Sequence, residues 1–132
     1  MPGFAKYPVT AVLRADDLAR AKQFYTDVMG YAVDEQYSMP GVLPLRAGRD
    51  AMLMVYERPG MAAPENTTLG IPLPAEDFDG CVEYLRSKGV ALEDYDIPEM
   101  DLKTENGVAM MDGAKSAWFK DTEGNILNIV TM

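Results

Sequence analysis

The chain has 132 residues, 48% of them hydrophobic, and a net charge of -9, because 21 acidic residues outweigh 12 basic ones. This length suits one domain, and so acidic a chain repels phosphate backbones, so we expect no nucleic-acid partner. No apolar run approaches the roughly 18 residues of a membrane span, and the N-terminal residues lack a signal-peptide core. We therefore expect a cytoplasmic protein with no membrane partner. The chain contains no histidine.

The first half of the chain predicts a strand, a helix and three further strands. Asp16 or Asp17 is the expected N-cap of the helix, and Gly30 is expected to end it in a left-handed conformation. Pro44 interrupts one of the later strands, which indicates an edge position or a bulge. The predicted strands of this half are residues 9–14, 31–37, 42–47 and 51–57.

The second half of the chain repeats this order after a linker rich in proline and glycine, residues 59–66. Asp77 is the expected N-cap of the second helix, and Gly89 is expected to close it. Residues 98–107 are polar and predict a loop, and residues 108–111 fit either a short strand or part of that loop. The predicted strands of this half are residues 67–73, 90–97, 116–120 and 126–131.

The two halves form an internal repeat, with helix caps about 60 positions apart, which is a strong indicator of architecture. Neither half buries enough surface to be stable alone. The sequence therefore predicts an α+β fold in which two βαβββ modules, residues 5–58 and 67–132, form a single domain spanning residues 1–132. Curled sheets that face each other, within one chain or between two, would enclose a cleft for a small molecule.

Two motifs resemble those of a known family. LRADDLARAKQFYTDVMGY (residues 13–31) is similar to the first-helix signature of the vicinal oxygen chelate superfamily, and AWFKDTEGNIL (residues 117–127) is similar to its late signature. That superfamily includes glyoxalase I, extradiol dioxygenases, fosfomycin-resistance enzymes and bleomycin-resistance proteins. The resemblance implies that the paired modules form a half-open barrel. It also implies a homodimer, since many relatives are homodimers.

The resemblance also implies where a metal would be held, with one ligand from the first and the last strand of each module. Register against the two motifs places these positions at Thr10, Met54, Gly70 and Asn128. A hydroxyl, a thioether, a missing side chain and an amide are not a donor set for a divalent transition metal. We therefore expect no metal and no cofactor, although an oxygen-only Mg²⁺ or Mn²⁺ site built from acidic residues elsewhere remains an alternative.

The predicted cleft has an apolar and aromatic lining with a few hydrogen-bonding groups, as small-molecule pockets usually do. Trp118 fits either a stacking platform or a core position. The acidic run at residues 93–96 fits either the rim of an opening that attracts cations or a solvated strand edge. Strand alternation and the family register together predict five ligand-binding residues: Thr10, Met54, Tyr56, Trp118 and Asn128.

The favoured function is a metal-independent small-molecule binding protein of the bleomycin-resistance or glyoxalase-like type. Its ligand is expected to be apolar or aromatic, with a cationic ligand suggested by the acidic charge. One alternative is a glyoxalase-like lyase, isomerase or dioxygenase with an atypical site. No pair of carboxylates has a spacing that indicates acid–base catalysis, so we assign no catalytic residue. A second alternative is a structural or regulatory domain with a vestigial cleft.

Overall fold

The computed structural model describes residues 3–132, so the first two residues of the predicted 1–132 domain lie outside it. The chain forms two compact units, Met1–Met61 and Ala62–Met132. In each unit a helix packs on one sheet. The predicted α+β class with two similar modules is confirmed.

Unit 1 is a four-stranded sheet with one helix packed on β3 and β4. The strand order is β1-β4-β3-β2, and β1 runs parallel to β4. Leu53 and Val55 of β4 are buried together with Phe24 and Tyr25 of the helix, so alternate residues of the strand face this core. The elements are β1 (Ala11–Ala15), α1 (Leu18–Asp27), β2 (Ala32–Val33), β3 (Val42–Arg46) and β4 (Met52–Glu57).

Helix α1 begins and ends as its sequence predicts. The Asp17 side chain accepts a hydrogen bond from the backbone N–H of Arg20 at 3.1 Å, which satisfies one of the free donors of the first turn. Gly30 follows the helix with φ of +73°, a conformation that costs other residues more than it costs glycine. The predicted cap and the predicted termination are both confirmed.

The strand predicted at residues 31–37 was largely wrong, because only Ala32–Val33 pair with β3. The buried Asp34 side chain accepts a hydrogen bond from the backbone N–H of Gln36 at 3.2 Å and caps a short 3-10 helix, Glu35–Tyr37. Such side-chain bonds compete with a strand ladder for the same backbone groups. Asp34 thus turns the chain out of the sheet after two paired residues.

Pro44 lies in an inner strand, so the prediction of an edge or a bulge was wrong. It sits opposite Met54 of β4 in regular register. Its carbonyl oxygen accepts a hydrogen bond from the backbone N–H of Asp34 at 3.0 Å, on the side away from β4. Because the nitrogen and carbonyl of one strand residue point to the same side, the missing N–H falls beside the short β2 and removes no bond to β4.

Unit 2 is a six-stranded sheet with one helix packed on β9 and β10. Its strand order is β5-β10-β9-β8-β7-β6, and the first four positions repeat the order of unit 1. Phe78, Val82 and Leu85 of the helix are buried. The elements are β5 (Thr67–Leu73), α2 (Ala75–Ser87), β6 (Asp96–Ile97), β7 (Leu102–Glu105), β8 (Val108–Met111), β9 (Ala114–Lys120) and β10 (Ile126–Thr131).

Helix α2 begins earlier than predicted, at Ala75, and its N-cap residue is Pro74 rather than Asp77. Asp77 lies in the first turn, where a negative charge interacts favourably with the positive end of the helix dipole. Gly89 follows the helix with φ of +79°, as predicted. Within residues 3–132, no helix is long and apolar enough to cross a membrane.

The strand predicted at residues 90–97 was wrong over most of its length. Leu92 makes only an isolated bridge to Phe119, and regular pairing is limited to β6. Between them, the Asp94 carboxylate accepts a hydrogen bond from the backbone N–H of Gly107 at 2.9 Å. The side chain therefore ties this segment to a neighbouring turn instead of leaving the backbone free to pair.

The loop predicted at residues 98–107 was also wrong, because this segment contains a 3-10 helix, Pro98–Met100, and strand β7. Asn106 and Gly107 then turn the chain into β8 with φ of 54° and 83°. Two positive φ values in succession are typical of the tight turns that join antiparallel strands, and Asn-Gly is their preferred pair. Residues 108–111, for which strand and loop were both open, form a strand.

Candidate functional site

The open face of the unit 1 sheet carries the predicted residues Met54 and Tyr56. They are two positions apart on β4 and so point to the same side, away from the buried Leu53 and Val55. Met54 is half-buried, and Tyr56 is 39% exposed. Thr10 precedes β1 and is exposed, and the strand partner of Met54 is Val12. Unit 1 thus presents an accessible apolar surface with one phenol.

The open face of the unit 2 sheet brings Trp118 and Asn128 together. They are cross-strand partners on β9 and β10, and on its other side Asn128 is paired with Gly70 of β5. Trp118 and Asn128 are both half-buried, whereas Gly70 is exposed. The three positions therefore form a row across the sheet, with a large ring at one end and a gap at the other.

Unit 2 also contains a cleft of about 710 Å³, and Trp118 forms part of its wall. Most of the lining is apolar, with carboxylate, amide and ammonium groups at a few points. Asn128 does not line this cleft, but it is the cross-strand partner of Trp118 and lies next to it on the same face of the sheet. The lining residues are Ala63, Pro64, Glu65, Asn66, Thr67, Glu93, Tyr95, Ile97, Met100, Leu102, Trp118, Lys120, Gly124 and Ile126.

Two aromatic rings form a corner of the cleft. Tyr95 and Trp118 meet edge to face, with ring centroids 5.5 Å apart and planes at 82°. The backbone N–H of Glu93 donates to the carbonyl oxygen of Trp118 at 2.8 Å, which holds the segment carrying Tyr95 beside β9. Such a corner offers one ring for stacking and a second ring for edge contact with a planar ligand.

The charged groups of the cleft are two carboxylates, Glu65 and Glu93, and one ammonium group, Lys120. Lys120 Nζ lies 3.5 Å from Glu93 Oε1 in a partly exposed ion pair. Burial, and after it the negative charge of Glu93, raises the pKa of Tyr95, which therefore stays a neutral phenol at physiological pH. The cleft thus carries one excess negative charge.

The turn between β9 and β10 contributes Gly124 to the lining of the cleft. The buried carboxylate of Asp121 holds this turn. Asp121 Oδ1 accepts from the backbone N–H groups of Glu123 and Asn125 at 2.8 and 2.9 Å, and Oδ2 accepts from Asn125 Nδ2 at 2.9 Å. These charge-assisted bonds fix the turn from within the late sequence motif.

Sequence reasoning did not assign Tyr95, Met100 and Leu102 as ligand-binding residues, although all three line the cleft. These residues lie in the segment whose strand and loop assignments were wrong. The Asn106-Gly107 pair was the available signal, because it predicts a hairpin and so a strand ending at Glu105. Glu93 had been assigned to a possible acidic rim, and it does line the cleft.

The four positions that the resemblance assigns to a metal do not fit one. Thr10 and Met54 lie in unit 1, and Gly70 supplies no side chain. Asn128 offers only a neutral amide oxygen, because its nitrogen donates to Ser116 Oγ at 2.7 Å, and one weak oxygen donor together with a hydroxyl and a thioether is not a site for a divalent transition metal. Across residues 3–132, no cluster of three or more histidine, cysteine or carboxylate side chains is placed to hold a metal ion.

Comparison with known proteins places the chain in a family. A model of the glyoxalase/bleomycin resistance protein/dioxygenase superfamily matches residues 8–129. A search of curated proteins finds no match.

Solved structures share the fold at low sequence identity. An integron cassette protein from the mobile metagenome of a Halifax Harbour sewage outfall has a TM-score of 0.70 and 19% identity, covering 96% of this chain and 99% of that one. Lactoylglutathione lyase from Agrobacterium tumefaciens has a TM-score of 0.66 and 18% identity, covering 96% and 93%. The fosfomycin resistance protein FosX from Listeria monocytogenes has a TM-score of 0.67 and 12% identity, covering 100% and 92%. The family match spans most of the chain, and the chain belongs to the glyoxalase/bleomycin resistance protein/dioxygenase superfamily.

Proposed function

We propose that the protein binds a planar organic cation in the unit 2 cleft without the help of a metal. The observation that carries this proposal is the Tyr95–Trp118 corner in a largely apolar cleft of about 710 Å³. That volume lies within the range of small-molecule sites, which are mostly apolar with a few placed polar groups. A flat ring stacked on Trp118 would bury apolar surface on both partners.

Charge favours a cation over a neutral or anionic ligand. The cleft carries two carboxylates against one ammonium group, and the chain as a whole is at -9. Tyrosine and tryptophan faces also attract cations. The positive charge of Lys120 offsets the negative charge of Glu93. We therefore expect Lys120→Ala to lower the dissociation constant of a planar cation and Glu93→Gln to raise it, measured in the same titration.

The donor chemistry at the family positions supports the proposed metal independence. The apolar and aromatic groups of the cleft need no metal to hold a flat ring, whereas the enzymes of the family polarise a substrate through one. Elemental analysis of the purified protein tests this part. Stoichiometric metal would contradict it and would favour the alternative of a lyase, isomerase or dioxygenase with an atypical site.

A thermal-shift screen tests whether the cleft is functional, since a ligand that binds only the folded state raises its melting temperature. We expect N-methylquinolinium to stabilise the protein more than methylnaphthalene, its neutral isostere, and Trp118→Ala to remove the difference while the protein remains folded. The predicted residues Thr10, Met54 and Tyr56 are tested by alanine variants in the same screen. No shift with any planar compound would favour the structural or regulatory alternative.

We further propose that the protein is a cytoplasmic homodimer, as members of this family are commonly dimeric. The first unit exposes apolar residues that a partner would cover, among them Val9 at 92% and Val12 at 53%. Analytical ultracentrifugation of the wild type and of Val12→Lys tests the dimer. A monomeric wild type would contradict it.

A further inference from the structure

The Asn128 side chain has one permitted orientation. The two hydrogens of its Nδ2 are shared among three acceptors, Ser116 Oγ at 2.7 Å and the carbonyl oxygens of Ala117 at 3.1 Å and Ile129 at 3.2 Å. Backbone carbonyls only accept hydrogen bonds, so an amide turned over would set its own oxygen against two other oxygens. The NH₂ group must therefore face the sheet backbone.

This orientation directs Asn128 Oδ1 over Gly70. A Cβ atom built on Gly70 would lie 3.9 Å from Oδ1 and would contact nothing else within 4 Å. Every hydrogen bond that the described residues make with the Asn128 side chain runs through Nδ2. Since Gly70 is exposed, Oδ1 lies at an accessible gap that exists because position 70 has no side chain.

The gap lies beside Trp118, a residue of the cleft wall. Asn128 is the cross-strand partner of Trp118, and such partners have Cβ atoms about 4.5–5.5 Å apart on one face of the sheet. A ring stacked on Trp118 therefore brings its substituents within reach of Oδ1. The amide oxygen only accepts hydrogen bonds, so it interacts favourably with an N–H or O–H donor on the ligand and repels a carboxylate.

We propose that Asn128 Oδ1, exposed by Gly70, makes the cleft selective for planar cations that carry amino N–H donors over those whose amino groups are fully alkylated. This selectivity rests on the proposed binding function and adds the chemical class of the ligand. A net hydrogen bond of ordinary strength corresponds to a preference of roughly three- to tenfold. The position that the family uses for a metal ligand would then recognise a ligand amine directly.

Proflavine and acridine orange test this selectivity, because they share one tricyclic cation and its ring N–H. The outer amino groups carry hydrogens in proflavine and are dimethylated in acridine orange. Fluorescence anisotropy of each dye gives its dissociation constant. We expect the wild type to bind proflavine roughly three- to tenfold more tightly.

Three variants separate the acceptor from general effects. Gly70→Val fills the gap on an exposed strand position where the backbone φ is not positive, and Asn128→Leu removes the amide. Both should reduce the ratio of the two dissociation constants to about one. Ser116→Ala is the control, because it leaves both carbonyl partners of Nδ2 and should keep the ratio.

The outcomes distinguish this inference from the proposed function. The proposed selectivity is overturned if the wild type binds both dyes equally, or if Gly70→Val and Asn128→Leu keep the wild-type preference. Neither of these results contradicts the proposed cation site. Binding of neither dye overturns the proposed function and the selectivity with it.

Discussion

Replacing Gly107 by alanine should destabilise unit 2 much more than the same change at Gly113. Both glycines follow a residue with positive φ, in the pairs Asn106-Gly107 and Asp112-Gly113, and their own φ values are 83° and 84°. The backbone cost of an alanine in this conformation is thus the same at both, about 1–2 kcal/mol. The two positions differ in what the new methyl group meets.

At Gly107 the added Cβ would lie 2.6 Å from Leu92 Cβ and 2.9 Å from Leu92 Cδ1, whereas at Gly113 it meets nothing within 4 Å. Leu92 Cβ is fixed to the backbone, so the conflict cannot be relieved by rotating a side chain. Overpacking of this kind costs about 1–3 kcal/mol. The expected loss is therefore about 2–5 kcal/mol for Gly107→Ala and about 1–2 kcal/mol for Gly113→Ala.

Urea unfolding followed by the fluorescence of Trp118, the single tryptophan of the chain, measures both losses in unit 2. Glu93 lines the cleft and directly follows Leu92, so a shift of Leu92 would move Glu93. Gly107→Ala should therefore also weaken ligand binding, and Gly113→Ala should not. Equal destabilisation by the two variants would refute the close approach of the turn to Leu92.

Three other side chains, Asp121, Tyr31 and Asp34, give one further prediction each. Asp121→Ala removes the acceptor of three hydrogen bonds in the β9–β10 turn and should lower the free energy of unfolding, measured in urea, by about 1.5–3 kcal/mol. A loss below roughly 0.5 kcal/mol would contradict the role of Asp121 as a buried charged acceptor. Burial raises the pKa of Tyr31, so the folded state retains the phenol proton longer than the unfolded state. The free energy of unfolding should therefore be unaffected by Tyr31 below about pH 10 and fall above it, and Tyr31→Phe should lessen that fall. Asp34→Ala should release residues 35–37 from their 3-10 turn, because it removes the acceptor of the Gln36 backbone N–H. Amide hydrogen exchange at Gln36 should become faster, and an unchanged exchange rate would contradict the role of Asp34.

Local signals in the sequence were sufficient for helix α1, for strands β1, β3 and β4 of unit 1, and for the first and last strands of unit 2. Asp17 and Gly30 act within one turn of where they stand, so their roles depend on no distant contact. The pairing of Trp118 with Asn128 also followed from the sequence, because a tight turn joins their two strands and fixes the register of the pair.

Side chains that bond the backbone account for the two wrongly predicted strands. Asp34 ends a strand, and Asp94 ties its segment to Gly107, and neither contact is visible in apolar periodicity. The cleft wall that carries Tyr95 and Met100 depends on this second contact and on the Asn106-Gly107 turn. The sequence therefore predicted Trp118 as a ligand-binding residue and placed Tyr95 only within a possible acidic rim, without its contact with Trp118.

A fluorescence titration of Trp118 with N-methylquinolinium, in the presence and absence of a metal chelator, tests the central claim most directly. Trp118 is the single tryptophan and forms part of the cleft wall, so its emission reports occupancy of the site. We predict saturable quenching with the same dissociation constant in both conditions, and weaker binding in Glu93→Gln. Emission that does not change with the cation, or quenching that the chelator abolishes, would contradict a metal-independent site for planar cations.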